Sequence, residues 1–334
     1  MRKFVPLFVC VFLAMPLFGQ TTLNGAGATF PYPIYSKWFS EYHKLHPEVE
    51  INYQSIGSGG GIRQVTAGTV EFGASDMPMT DKQLQDAKTK ILNLPTVLGA
   101  VVPAYNIPGV SGEIKFTPEA LSGIFLGKIS KWNDSAITSA NPGINFPDKD
   151  IIVVHRSDGS GTSFIWTDYL SKVSPDWKSQ VGANTSVSWP IGMGGKGNEG
   201  VSGMIRQLSG SIGYVELIYA LQNNIPYGSV RNSSGAFVKA SLDSVTAAAA
   251  SAPKMPTDFR VSITNSPGKD AYPISSFTWL LVPQQSKNPA NGKILADFLN
   301  WMVSDGQKMT AALSYAPLPE NVAAKEKETI KQVK

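Results

Sequence analysis

Cysteine is almost missing: Cys10 is the sole one in 334 residues, and it lies in an apolar stretch at the amino terminus. If that stretch is a cleaved leader, the chain that remains has no disulfide and no thiol chemistry. A chain of this length can still hold its fold in an oxidising compartment through its core alone. Histidine is scarce too, with only His43, His46 and His155. None joins Asp, Glu or Cys at metal-ligand spacing and none is an evident general base, so neither a metal nor another cofactor is expected. Charged residues make up 16% of the chain and the formal net charge is +4. No dense Lys/Arg run with interleaved aromatics occurs, which argues against nucleic acid as a partner. Beyond residue 20 no apolar run approaches the roughly 20 residues of a membrane span, and residues 277–282 read as a buried strand.

What is present at the amino terminus has the form of an export signal. Arg2 and Lys3 precede an apolar stretch over residues 4–18, which ends at Gly19-Gln20 before polar Thr21 and Thr22. Residues 1–20 are therefore expected to be a signal peptide, and the protein to be secreted. Leu7-Phe8-Val9 ahead of Cys10 lacks the small residues that a lipidation site requires, so a lipid anchor is not expected.

In the rest of the chain, short apolar strands alternate with helical patterns, which predicts an α/β fold. Strands are expected from Leu23, over 49–54, 71–75, 96–105, 151–155, 212–215 and 275–282. Helices are expected over 33–45, 57–67, 81–89, 118–127, from 160, and over 201–208 and 293–304. Residues 247–252 read as an alanine-rich surface segment.

Three segments share one design of strand, small-residue turn and helix start. They are Gly25-Ala26-Gly27-Ala28-Thr29-Phe30, Ile56-Gly57-Ser58-Gly59-Gly60-Gly61 and Arg156-Ser157-Asp158-Gly159-Ser160-Gly161-Thr162. Free N–H groups, hydroxyl donors and the positive end of a helix make such a turn an anion site. Each turn alone is equally an ordinary N-cap. Arg156 is the one cation among them; its planar fork suits two oxyanion oxygens, or else pairs with Asp158 at the surface, and both can hold. Asp76, in Gly73-Ala74-Ser75-Asp76, is either a turn residue or a deliberate acceptor. An ionised carboxylate repels a fully deprotonated anion such as sulfate, whereas phosphate near neutral pH still has a proton to donate to it.

These turns, with FGASD around Asp76, are similar in order and spacing to the periplasmic phosphate-binding proteins of ABC-type phosphate transporters. The resemblance continues through KWND at 131–134, GGKGNEG at 194–200, IGYVE at 212–216 and YPIS at 272–275, and so covers essentially the whole chain after the leader. It implies a type II periplasmic-binding-protein fold, two α/β lobes closing like a clamshell on a ligand in the cleft between them. The implied first lobe is 21–98 plus 272–334 and the second 99–271. The resemblance further implies phosphate ligands at Thr29, Phe30, Ser58, Asp76, Arg156, Ser160, Gly161 and Thr162, with Asp76 taking the ligand's proton. It implies a monomer that delivers phosphate to the inner-membrane permease of an ABC transporter and catalyses nothing.

Rival readings are weaker. Gly192-Met193-Gly194-Gly195-Lys196-Gly197 fits a dinucleotide-binding pattern but sits deep in the chain instead of at its first strand, and reads as a structural loop or rim contact. Ser160 as the nucleophile of a phosphatase lacks the nucleophile-elbow glycine, since Asp158 stands there. Another tetrahedral oxyanion remains the main alternative ligand.

Overall fold

The strands run in chain order as β1 (Thr21–Gly27), β2 (Val49–Ser55), β3 (Phe72–Ser75), β4 (Ile91–Asn106), β5 (Lys115–Phe116), β6 (Ile152–Arg156), β7 (Met193–Gly195), β8 (Ser211–Glu216), β9 (Ser229–Arg231), β10 (Phe237–Val238) and β11 (Ser275–Pro283). This computed structural model describes residues 20–334, so the signal-peptide reading, including Cys10, falls almost wholly outside the described residues. Eight strands form one sheet in the order β2-β1-β3-β11-β4-β8-β6-β7, and β10-β9-β5 form a small second sheet.

β4 ties the large sheet together. Its first part, Ile91 to Ala100, pairs antiparallel with β11, and its last part, Val101 to Asn106, pairs antiparallel with β8. On one side lie parallel β1, β2 and β3; on the other, parallel β6, β7 and β8. One strand thus spans two half-sheets, and all of it but Asn106 is buried. That explains why its sequence is a nearly continuous apolar run with no alternation.

The sequence reading starts this strand at Thr96, just after Pro95. The structure carries it back to Ile91. The register slips between Thr278 and Trp279, so Thr96 is the extra residue of a bulge next to Pro95. The hydroxyl of Thr96 then bonds Thr278 O at 3.3 Å and the Tyr35 hydroxyl at 3.0 Å. A bulge is where a sheet interior tolerates a missing N–H.

The first helix, Tyr32–Leu45, buries Ile34, Tyr35, Trp38, Phe39 and Tyr42 as one face against the first half-sheet. The expected helix over 81–89 is shorter, Asp81–Asp86, with a capping box from Thr80 and Gln83. The alanine-rich segment 247–252 lies mostly at the surface, with Ala248 alone buried. It belongs to a helix, Leu242–Ser251, capped by Ser241 and Ser244, and Val245 and Ala248 are buried. Alanine is the best helix former, which explains why this surface run is helical. The helix expected over 201–208 begins at Gly197, where tertiary contacts override the poor helix propensity of glycine. Among the described residues no helix is long and apolar enough to cross a membrane.

The helix Glu320–Ile330 packs a glutamate inward. Glu326 is fully buried and neither carboxyl oxygen has a partner among the described residues. Burial pushes its pKa well above the ordinary carboxylate range, so it stays protonated in the folded chain after it has ionised in the unfolded one. The folded state then binds more protons, and this residue costs stability as pH rises above the unfolded pKa. Glu326→Gln is therefore expected to be more stable than the parent at neutral pH, with the gap closing towards about pH 4, near the unfolded glutamate pKa, in urea unfolding; equal pH dependence of the two proteins would contradict this.

Candidate functional site

The three Gly/Ser turns converge from the two half-sheets. β1 leads through Ala28 and Thr29 into the first helix, and β2 leads through Gly57 into the helix Ser58–Ala67. From the other half, β6 ends at Arg156 and its turn leads into the helix Gly161–Val173, with Ser160 as N-cap. All three turns end at helix N-termini, where the first N–H groups have no partner inside the helix. The N–H groups of Thr29, Phe30, Ser58, Gly161 and Thr162 donate to no acceptor among the described residues. Every one of these residues is buried. Buried backbone donors are seldom left unpaired, so this cluster is poised for an anion.

Close approach decides where glycine is needed. Gly57 has φ +85°, and a side chain there would collide with Asp158 and the Gly159 carbonyl from the other half. A Cβ on Gly161 would lie inside 3.0 Å of the Ser58 hydroxyl and of the Asp76 carboxylate. Gly59 N donates to Gly159 O at 2.9 Å, a backbone bond directly across the cleft. The turns of the two halves are thus in contact, and Ser58, Asp76 and Gly161 meet at one point.

Asp76 is the acceptor of this constellation. It is 1% exposed, its Oδ1 accepts from Thr278 Oγ1 at 2.7 Å, and its Oδ2 accepts from Ser58 Oγ at 3.4 Å. Burial pushes its pKa up to about 7, against the lowering effect of Thr278, Arg156 and Ser58. Arg156 is 3% exposed and grips Asp158 with Nε at 2.7 Å and Nη2 at 2.5 Å. Burial alone would raise the pKa of Asp158, but the guanidinium and the Gly197 N–H hold it below the ordinary range. Nη1 donates to Thr162 Oγ1 at 3.3 Å. Three of its five N–H groups are then committed, which leaves one on each terminal nitrogen for a ligand. The expected pairing of Arg156 with Asp158 is present, with the guanidinium buried and Asp158 partly buried, and not at the open surface.

Ser160 is turned to structural use, its hydroxyl accepting from Ser163 N at 3.0 Å. His155 stacks on Trp189 with ring centroids 4.8 Å apart. Neither arrangement makes a nucleophile and base. Asn198 is the residue that sequence reasoning missed. It sits in the first turn of the helix Gly197–Gln207, fully buried, and its Nδ2 donates to Thr29 Oγ1 at 2.8 Å and Thr162 Oγ1 at 3.1 Å. The glycine-rich segment read as a loop is thus a fourth strand, turn and helix start, and its strand register, β7 beside β6, was the signal hidden by short length. Tyr219 adds a bond across the cleft, from its hydroxyl to Thr29 O at 2.6 Å.

Residues 18–306 match the family model of the PBP superfamily domain. The chain is 49% identical over 302 residues to a phosphate-binding protein PstS of Xylella fastidiosa, covering 90% of this chain and 82% of the relative. It is 47% identical over 328 residues to the PstS of Pasteurella multocida, covering 97% and 94%. Among solved structures, a high-affinity periplasmic phosphate-binding protein with phosphate bound superposes at TM-score 0.74, with 21% identity, 91% of this chain covered and 92% of the other. The phosphate-binding protein of Stenotrophomonas maltophilia does so at 0.70, with 19% identity and coverages of 92% and 93%. At these identities the structural matches speak for the fold, a two-lobe periplasmic-binding-protein architecture.

Two outcomes follow from the contacts at Asp76 and Gly161. Gly161→Ala is expected to hold the halves apart, seen as a larger radius of gyration in X-ray scattering; a profile identical to the parent's would contradict it. Asp76 keeps its proton to about pH 7 when folded but loses it near 3.8 when unfolded. It therefore costs ligand-free stability as pH rises between those values, and Asp76→Asn should show a growing stability advantage over that interval in urea unfolding. A constant difference would contradict it.

Proposed function

The chain belongs to the PstS family of phosphate-binding proteins within the PBP superfamily, and from that premise we propose that it captures inorganic phosphate in the cleft and hands it to an ABC transporter. The ligands are Thr29, Phe30, Ser58, Asp76, Arg156, Ser160, Gly161 and Thr162. The lobes are 21–98 with 272–334, and 99–271, joined where β4 passes from β11 to β8. Each lobe supplies donors, so bound phosphate favours the closed state over the open one.

A single observation carries the reading: a buried carboxylate, Asp76, stands among N–H groups without a partner among the described residues and a guanidinium with two N–H groups to spare there. Such a set wants an anion that has several accepting oxygens and one proton to give. Phosphate fits; sulfate at neutral pH has no proton and would face Asp76 as a second buried anion. The family and the leader at residues 1–20 support a periplasmic location, and the permease of an inner-membrane transporter as partner. Binding without turnover is supported by Ser160 serving as an N-cap and His155 lying against Trp189. The protein acts as a monomer.

Calorimetric titration tests this reading. Phosphate should bind and equimolar sulfate should leave it in place; displacement by sulfate would overturn the role of Asp76. In Asp76→Asn, discrimination against sulfate should fall further than phosphate affinity does, and unchanged selectivity would contradict the reading.

A further inference from the structure

Asn198 has a bonding pattern that does more than fill space. Its amide has two N–H groups, and one goes to each threonine of the site: Nδ2 to Thr29 Oγ1 at 2.8 Å and to Thr162 Oγ1 at 3.1 Å. Its backbone N–H also points at Thr29 Oγ1, at 3.3 Å, and Arg156 Nη1 donates to Thr162 Oγ1 at 3.3 Å. The amide cannot rotate to exchange oxygen for nitrogen, because Oδ1 accepts from Glu216 N at 3.0 Å. A threonine hydroxyl is ordinarily both donor and acceptor, with a proton that turns to suit its surroundings. Here each oxygen already receives two N–H groups, so its own proton must point away from them. Among the described residues neither hydroxyl donates to a protein acceptor, while Thr29 and Thr162 flank the cleft from opposite halves.

We infer that Asn198 is a positioning residue for specificity: it fixes both threonine hydroxyls as donors towards the cleft, so that Asp76 alone accepts the ligand's proton. The inference rests on the phosphate reading above. It assigns to Asn198, which is no member of the ligand set, the task of keeping the remaining phosphate oxygens unprotonated. Without it, either hydroxyl could turn and accept a proton from the ligand, and the site would no longer read where that proton sits. Thr162 and Asn198 lie on the same half and Thr29 on the other, so Thr162 keeps its donors in the open state while the Thr29 hydroxyl is polarised by Asn198 only when the cleft is closed.

The test is a calorimetric cycle on the full chain with inorganic phosphate as probe. Asn198→Ala is expected to lose about tenfold in affinity, the scale of one hydrogen bond to a charged group. In a Thr29→Val, Thr162→Val background the same change should cost no more than about twofold, because the hydroxyls through which it acts are gone. The loss should also be greater above neutral pH, where phosphate is mostly the dianion, than below it; a residue that only shapes the fold would weaken binding equally at both. Asn198→Ser, which retains an acceptor but has no amide to reach both threonines, serves if the alanine variant does not fold. Unchanged affinity, an equal loss in both backgrounds, or a loss independent of pH overturns the inference while leaving phosphate binding by the parent intact. A parent that takes up no phosphate overturns the functional reading itself.

Discussion

Burial of the Asp76 carboxylate is the constraint around which the site is arranged. A carboxylate that is 1% exposed and without a cation in direct contact is costly to ionise. Its two hydroxyl donors, Thr278 and Ser58, each contribute on the order of 1.5–3 kcal/mol at best, and the one at 3.4 Å contributes least. That is less than the burial penalty, which is why the pKa rises to about 7. The group is left poised between its charge states at the pH where phosphate is too. Arg156 relieves it only in part, because the guanidinium is in direct contact with Asp158 and not with Asp76. A free guanidinium in the cleft would attract any anion. One already paired contributes directed N–H groups with little net charge, and leaves selection to hydrogen-bond direction.

The same economy appears in the backbone. Three helix N-termini present their first N–H groups to one point, and glycines at 57 and 161 let the halves approach until side-chain atoms nearly touch. The sheet links the two halves by running β4 through both, paired with β11 in one and with β8 in the other. Bonds across the cleft from Gly59, Asn198 and Tyr219 hold that approach, and each is short in reach, so a small opening breaks them all.

Much of this was legible in the sequence, because three Gly/Ser turns recur in one chain, although each alone is also an ordinary N-cap. The Gly/Ser turns, Arg156 and Asp76 announce themselves by chemistry, and the α/β class by alternating apolar runs. Convergence of residues near 30, 58 and 160 is a property of strand order, which periodicity does not encode. β7 is three residues long and glycine-rich, so nothing local separates it from a loop, and Asn198 was hidden with it. The start of β4 was lost for a different reason: Pro95 is a breaker unless a bulge absorbs it, and the bulge depends on β11, some 180 residues away.

The position of one hydrogen atom tests the central claim most directly. Neutron diffraction from crystals of the phosphate complex should find a hydrogen between a phosphate oxygen and the Asp76 carboxylate, with the other phosphate oxygens only accepting. Phosphate bound with no hydrogen between it and Asp76, or with its proton directed at Thr29 or Thr162, would contradict the account.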